Sequence, residues 1–177
     1  MAPTLELVRP RADLEHSYRG HVAEFVARGE PFIPFPIGFD LGDFPALLGR
    51  LEDCSRGVGV PEGFVPHSTF WLVRGGSEVV GVSNLRHTLT PRLLREGGTI
   101  GYGIRPTARG QGLGTEILRL TLREAVAIGH AEALVTCDAS NAASARVIVR
   151  NGGVLESEIY IEERGVYLQR YWIRNLR

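Results

Sequence analysis

Within "GIRPTARGQGLGTEILRL", residues 103–120, an arginine and three glycines stand close together: Arg109, Gly110, Gly112 and Gly114. Glycines at alternate positions pack no core; they turn the chain or let a ligand approach the backbone. These follow an apolar, strand-like run and open a long amphipathic one, so they sit where a strand hands over to a helix. The first turn of a helix has N–H groups with no intrahelical partner, and the helix dipole is positive there. A loop with few side chains admits an anion to those groups, with Arg109 beside it. The predicted chemistry is capture of a phosphate or pyrophosphate.

The known phosphate loops fit unequally. The chain has 20 lysines and arginines, and every one is arginine, so a lysine-dependent phosphate loop and Schiff-base chemistry are excluded. The dinucleotide fingerprint needs G-x-G-x-x-G, whereas the spacing here is G-x-G-x-G; Asp138 lies at roughly the distance of a ribose-binding acid, which keeps a NAD-type site as a disfavoured alternative. The spacing that does fit is R-x-x-G-x-G, on Arg109, Gly112 and Gly114.

The elements that must position this loop follow from periodicity and punctuation. "LELVRP" reads as a first strand, residues 11–28 as a helix, and residues 43–56 as a second helix capped by Asp43. Between the helices, a loop rich in proline and glycine carries Phe32, Phe35 and Phe39. Residues 68–74 and 78–89 read as a hairpin, 91–98 as a connecting loop that can hold one helical turn, and 99–106 as a strand ended by Pro106. A helix over 112–129, a buried strand over 133–138, a helix capped by Asn141, and two alternating strands at 154–163 and 166–175 complete the order. Two β-α-β steps require a locally parallel pair, and the hairpins require antiparallel ones. The expected fold is α/β: one domain over residues 1–177, a mixed, mostly antiparallel sheet with helices on both faces.

The loop, the preceding "GYGIRP", the "CDASNAASARVIVRNGG" that follows and the order of elements together resemble the GNAT (GCN5-related N-acetyltransferase) superfamily, most closely over residues 68–175. Residues 1–66 would then supply the first strand, the helices and acceptor-side loops. The resemblance implies a splayed central strand pair with the pantetheine arm of acetyl-CoA between the strands. Tyr102, Gly103 and Ile104 would offer backbone groups to that arm. Arg109, Gly110, Gln111, Gly112, Leu113, Gly114 and Thr115 would hold the pyrophosphate. Asn141 would bond the arm from the other side, with Ser144 near it. Gly101 and Gly103 fit a strand that needs a bulge or a close approach.

The implied reaction is acetyl transfer from acetyl-CoA to a primary amine of a small molecule or a peptide N-terminus, by direct attack on the thioester. Such a reaction needs a base for the amine, a donor for the oxyanion and an acid for the thiolate. Many relatives place a tyrosine on the helix after the asparagine as that acid; here the position is Ile148, which has no proton to give. Ser144 or water then serves, or the chain is a non-catalytic CoA-binding or sensing module. Asp138, Tyr102 and His87 are candidate bases. Glu156, Glu158 and Tyr160 alternate on one strand and either line an acceptor pocket for a cation or face solvent. Arg146 and Arg150 share a helix face and reach either a nucleotide phosphate or only water.

Composition sets outer bounds. With 44% hydrophobic and 23% charged residues and a formal net charge of zero, global charge gives no reason to expect nucleic acid or a membrane surface as partner. Cys54 and Cys137 are far apart, and the start of the chain lacks the pattern of a signal peptide, so a cytoplasmic protein with reduced thiols is expected. The five histidines show no ligand spacing, and no metal is expected. A homodimer through the aromatic loop or the last strands is one open assembly.

Overall fold

The computed structural model describes residues 3–177; Met1 and Ala2 lie outside the described residues. In chain order the elements are β1 (Leu5–Val8), α1 (Glu15–Arg28), α2 (Phe44–Arg56), β2 (His67–Arg74), β3 (Glu78–Arg86), α3 (Pro91–Arg95), β4 (Ile100–Ile104), α4 (Leu113–Ala127), β5 (Ala133–Asp138), α5 (Ala142–Arg150), β6 (Val154–Ile161) and β7 (Val166–Ile173). Helix α2 starts where the sequence places its cap: the Asp43 carboxylate accepts from Ala46 N at 3.0 Å. Strand β3 stops at Arg86, short of the expected end at residue 89. The connecting loop holds the short helical turn expected of it, α3, because Thr90 Oγ1 accepts from Leu93 N at 3.2 Å and Pro91 is preset for a first helical turn.

Every ladder is antiparallel. The strands run β1-β2-β3-β4 in one sheet and β5-β7-β6 in the other. Helices α1 and α2 cover one face through Tyr18, Phe25, Phe44 and Leu51 on Trp71, Val73 and Val79. Helix α4 covers the other, with Ile117 on Leu72 and Val80 and Leu118 on Phe70 and Leu85. Burial of this size supplies most of the driving force for folding. No helix among the described residues is long and apolar enough to cross a membrane.

The two sheets meet between β4 and β5, the parallel pair expected from the sequence. No ladder joins them. At their beginnings Thr99 N donates to Leu134 O at 2.6 Å, and Leu134 N donates to the Thr99 side chain at 3.0 Å. One hydroxyl thus takes the place of a backbone acceptor. Gly98 makes this junction possible: its φ is +64°, and a Cβ there would stand 2.3 Å from Leu134 O. Beyond this point the strands part, and a cavity opens between Tyr102–Ile104 and Asp138.

Candidate active site

That cavity has a volume of about 760 Å³ and runs from the parted strand ends to the N-terminus of α4 and along α5. The loop before α4 is built as an anion cradle. Gly110 and Gly112 both have φ of +78°, with nothing within 4 Å of a Cβ at either, so backbone conformation rather than packing demands glycine there. The third glycine answers to packing: a Cβ on Gly114 would stand 3.0 Å from Val147, where α4 lies against α5. The first N–H groups that bond inward belong to Thr115 and Glu116, both to Gly112 O. The N–H groups of Arg109 to Gly114 have no hydrogen-bond partner among the described residues. Successive free N–H groups in alternating backbone conformations form a nest for an anion at the positive end of a helix. Arg146 and Arg150 line the same cavity and make no ion pair among the described residues.

The Arg109 side chain is engaged elsewhere. Its guanidinium grips both oxygens of Glu30, at 3.0 and 2.5 Å, and Nε donates to Ile104 O at 3.2 Å. The Arg109 hydrogen bond holds Glu30 below the usual carboxylate range. A residue read from sequence as a phosphate ligand is therefore also a strut between the loop after α1 and the end of β4. Glu24 braces the neighbouring turn in a similar way. It accepts from Arg105 Nε at 2.7 Å and Thr107 N at 3.0 Å, fixing the segment that leads into the glycine loop.

Tyr102 and Ser144 are brought together from β4 and α5, their hydroxyls 2.9 Å apart. Asn141 caps α5 through a 3.0 Å bond from Ser144 N, and so fixes Ser144 in the first turn. Burial raises the Tyr102 phenol to about 12, only partly offset by the Ser144 bond, so at neutral pH it carries its proton. Ile148 is fully buried in the core beside Leu118 and Cys137.

Of the other expected residues, Gly103, Ile104, Leu113, Gly114, Thr115, Asp138 and Asn141 line the cavity. Both oxygens of Asp138 accept from Arg164 at 2.8 Å. Gln111 turns away to accept from Arg74 at 2.9 Å. His87 is not brought to this cavity; its Nε2 lies 2.8 Å from Ser68 Oγ. Glu156, Glu158 and Tyr160 are not brought there either. Glu156 is the extra residue of a bulge between Leu155 and Ser157, which breaks the alternation. It pairs with Arg170, while Tyr160 lies against Tyr167. Gly103 does serve a close approach, but of the chain itself: a Cβ there would stand 2.0 Å from Ile33 O, whereas one on Gly101 would meet Pro34 at an ordinary 3.5 Å. Among the described residues, no group of three or more His, Cys, Asp or Glu could hold a metal ion.

This arrangement coincides with a known family. The family model for the acetyltransferase (GNAT) domain matches residues 53–154, from the end of α2 to the start of β6. The chain belongs to the GNAT acetyltransferases. No curated protein matches it in sequence. Its fold is shared by RimL, a ribosomal L7/L12 alpha-N-protein acetyltransferase in complex with coenzyme A, at 18% identity, covering 97% of this chain and 94% of that one, with a TM-score of 0.71. It is similar also to the microcin C7 self-immunity acetyltransferase MccE in complex with acetyl-CoA and AMP (13% identity, 96% and 92% covered, TM-score 0.69). A third is spermidine N-acetyltransferase from Vibrio cholerae (12% identity, 97% and 94% covered, TM-score 0.63), whose structure is dodecameric. At these identities the likeness establishes the fold of the GNAT family and leaves the acceptor open.

Proposed function

We propose that the protein transfers the acetyl group of acetyl-CoA to a primary amine of a small molecule or a peptide N-terminus. The observation that carries this reading is the run of unpartnered N–H groups from Arg109 to Gly114, at the mouth of a cavity that continues between β4 and β5. These groups, with Arg146 and Arg150 nearby, suit the phosphates of coenzyme A. Acetyl-CoA bound there supplies the thioester that the amine attacks. Tyr102 is the proton donor for the departing thiolate, directly or through the Ser144 hydroxyl 2.9 Å away. Asp138 is the group at which the amine's proton is taken up: each of its oxygens keeps a lone pair beyond the one used by Arg164. Backbone N–H groups of β4 near Gly103 stabilise the developing oxyanion.

The test is release of CoA from acetyl-CoA across a panel of primary amines, together with calorimetric binding of acetyl-CoA. Tyr102→Phe is expected to lower kcat on the order of 100-fold, the size of general acid catalysis, while the Kd for acetyl-CoA changes less than about threefold. Binding without turnover of any amine would replace this reading with that of a CoA-sensing module.

A further inference from the structure

A second cavity, of about 370 Å³, lies among the loop after α1, the end of β3, the segment around α3 and the β6–β7 turn. Its wall carries Arg86, Arg92 and Arg164 against a single carboxylate, Glu96, with Phe35 and His67 completing it. Arg86 is the unusual member. It ends a strand whose preceding seven residues are buried, and its Nη1 donates to the carbonyls of Gly97 and Gly98 at 2.8 and 3.0 Å. Its Nε and Nη2 have no partner among the described residues, and no carboxylate pairs with it. Burial lowers its pKa only to about 10, so it remains a cation at neutral pH. Arg86 is half-buried in the cavity wall with no opposite charge paired to it among the described residues. Arg92 is exposed and likewise makes no ion pair among the described residues, nor does Glu96. His67 accepts at Nδ1 from Asn84 Nδ2 at 2.8 Å, which puts its ring proton on Nε2 as a further donor.

The cavity touches the proposed transfer site at two places. Arg86 Nη2 lies 3.8 Å from where a Cβ on Gly101 would be, one residue from Tyr102. Arg164 reaches from its wall to both oxygens of Asp138. An acceptor seated here has its amine near the parted strands and the rest of its body among guanidinium groups.

We propose that this cavity binds a carboxylate of the acceptor, held by the free edge of the Arg86 guanidinium and by Arg92, so that the substrate is an amine carrying a negative charge. The proposal rests on the acetyl-transfer reading for what happens to the amine, but not for the binding of the carboxylate. A guanidinium fork matches a carboxylate in shape and charge, and two uncompensated cations repel a polyamine. The same carboxylate is offered by a free amino acid or by an acidic side chain near a peptide N-terminus.

The experiment uses the full chain with acetyl-CoA and two matched pairs of amines: glycine against glycinamide, and the dipeptide amide Gly-Glu-NH2 against Gly-Gln-NH2, with spermidine as a cationic control. Rates are referred to the concentration of neutral amine. The expected result is a kcat/KM about tenfold or more higher for the charged member of at least one pair, as one charge-assisted bond would give. The pair that shows it identifies the source of the carboxylate. Arg86→Gln and Arg92→Gln each reduce that preference severalfold and leave the Kd for acetyl-CoA unchanged. Because Arg86 also braces the Gly97–Gly98 turn, Arg92→Gln, at an exposed position, is the deciding variant. A readout free of turnover accompanies it: N-acetylglycine and N-acetyl-Gly-Glu-NH2, each against its neutral counterpart, in thermal unfolding of the CoA-bound protein. A shift with a carboxylate that is lost in Arg92→Gln supports the anion site even if no amine is acetylated, in which case only the transfer reading fails. Equal or better use of the neutral members and of spermidine, or a preference and a thermal shift untouched by Arg92→Gln, overturns the proposal.

Discussion

The glycine loop at residues 109–115 and the smaller cavity around Arg86 lie near opposite ends of one short strand, β4, and are assembled differently. The loop is contiguous in sequence, uses backbone N–H groups, and owes its shape to two residues at positive φ and the start of a helix. The smaller cavity takes side chains from the loop after α1, the segment before β2, the end of β3, the segment around α3 and the β6–β7 turn. A backbone device survives wide changes in its surroundings because its geometry is local. A side-chain cavity exists only while distant segments keep their places. On the readings proposed above, the first serves the shared reaction and the second the particular acceptor.

That contrast can be broken at either end. The largest expected effect is from Gly112→Val, which forces a β-branched residue to φ +78° at the cradle: acetyl-CoA affinity, measured by calorimetry, falls on the order of 100-fold or more while the far-ultraviolet dichroism is kept. Next comes Gly98→Ala, which damages the acceptor side through the fold. A Cβ 2.3 Å from Leu134 O at φ +64° destabilises the protein by about 2–4 kcal/mol in urea unfolding, and loosens the turn that Arg86 braces. A smaller effect is expected from His21→Phe. His21 is fully buried, neither ring nitrogen has a hydrogen-bond partner among the described residues, and burial, then Arg105, lowers its pKa to about 3. Between pH 6.5 and about 3 the unfolded chain binds this proton and the folded one does not, so stability falls as pH falls through that window. His21→Phe removes this contribution, and the thermal midpoint then declines less steeply with acidification. The smallest effect lies at the loop end alone: Glu30→Gln frees Arg109, and the Kd for acetyl-CoA falls about two- to fivefold at low salt, an effect erased at high salt.

Legibility in the sequence follows the same division. The order of elements, the Asp43 and Asn141 caps and the glycine loop are readable because each rests on neighbours within a few residues. Gly103 is readable as a position of close approach, but the approaching group, Ile33, is far away in sequence. The Tyr102–Ser144 pair spans 42 residues, and the sequence points to each member without pairing them. Reading Glu156, Glu158 and Tyr160 as one face fails at a bulge that no local pattern marks. Arg86 does not stand out in the sequence at all. Its only signal is a cation ending the apolar run of β3, and nothing local shows that it lacks a carboxylate partner.

The sequence by itself determined the order of most helices and strands, which loop can hold an anion, and that lysine chemistry is absent. These follow from backbone conformation and periodicity, which act over one or two turns of chain. Only the tertiary structure decided that Arg109 is tied to Glu30, that Tyr102 keeps its proton beside Ser144, that β4 and β5 part just after Thr99, and that Arg86 stands charged and unpaired in a second cavity. Each depends on burial and on partners distant in sequence, and desolvation and charge pairing are properties of neighbours in space.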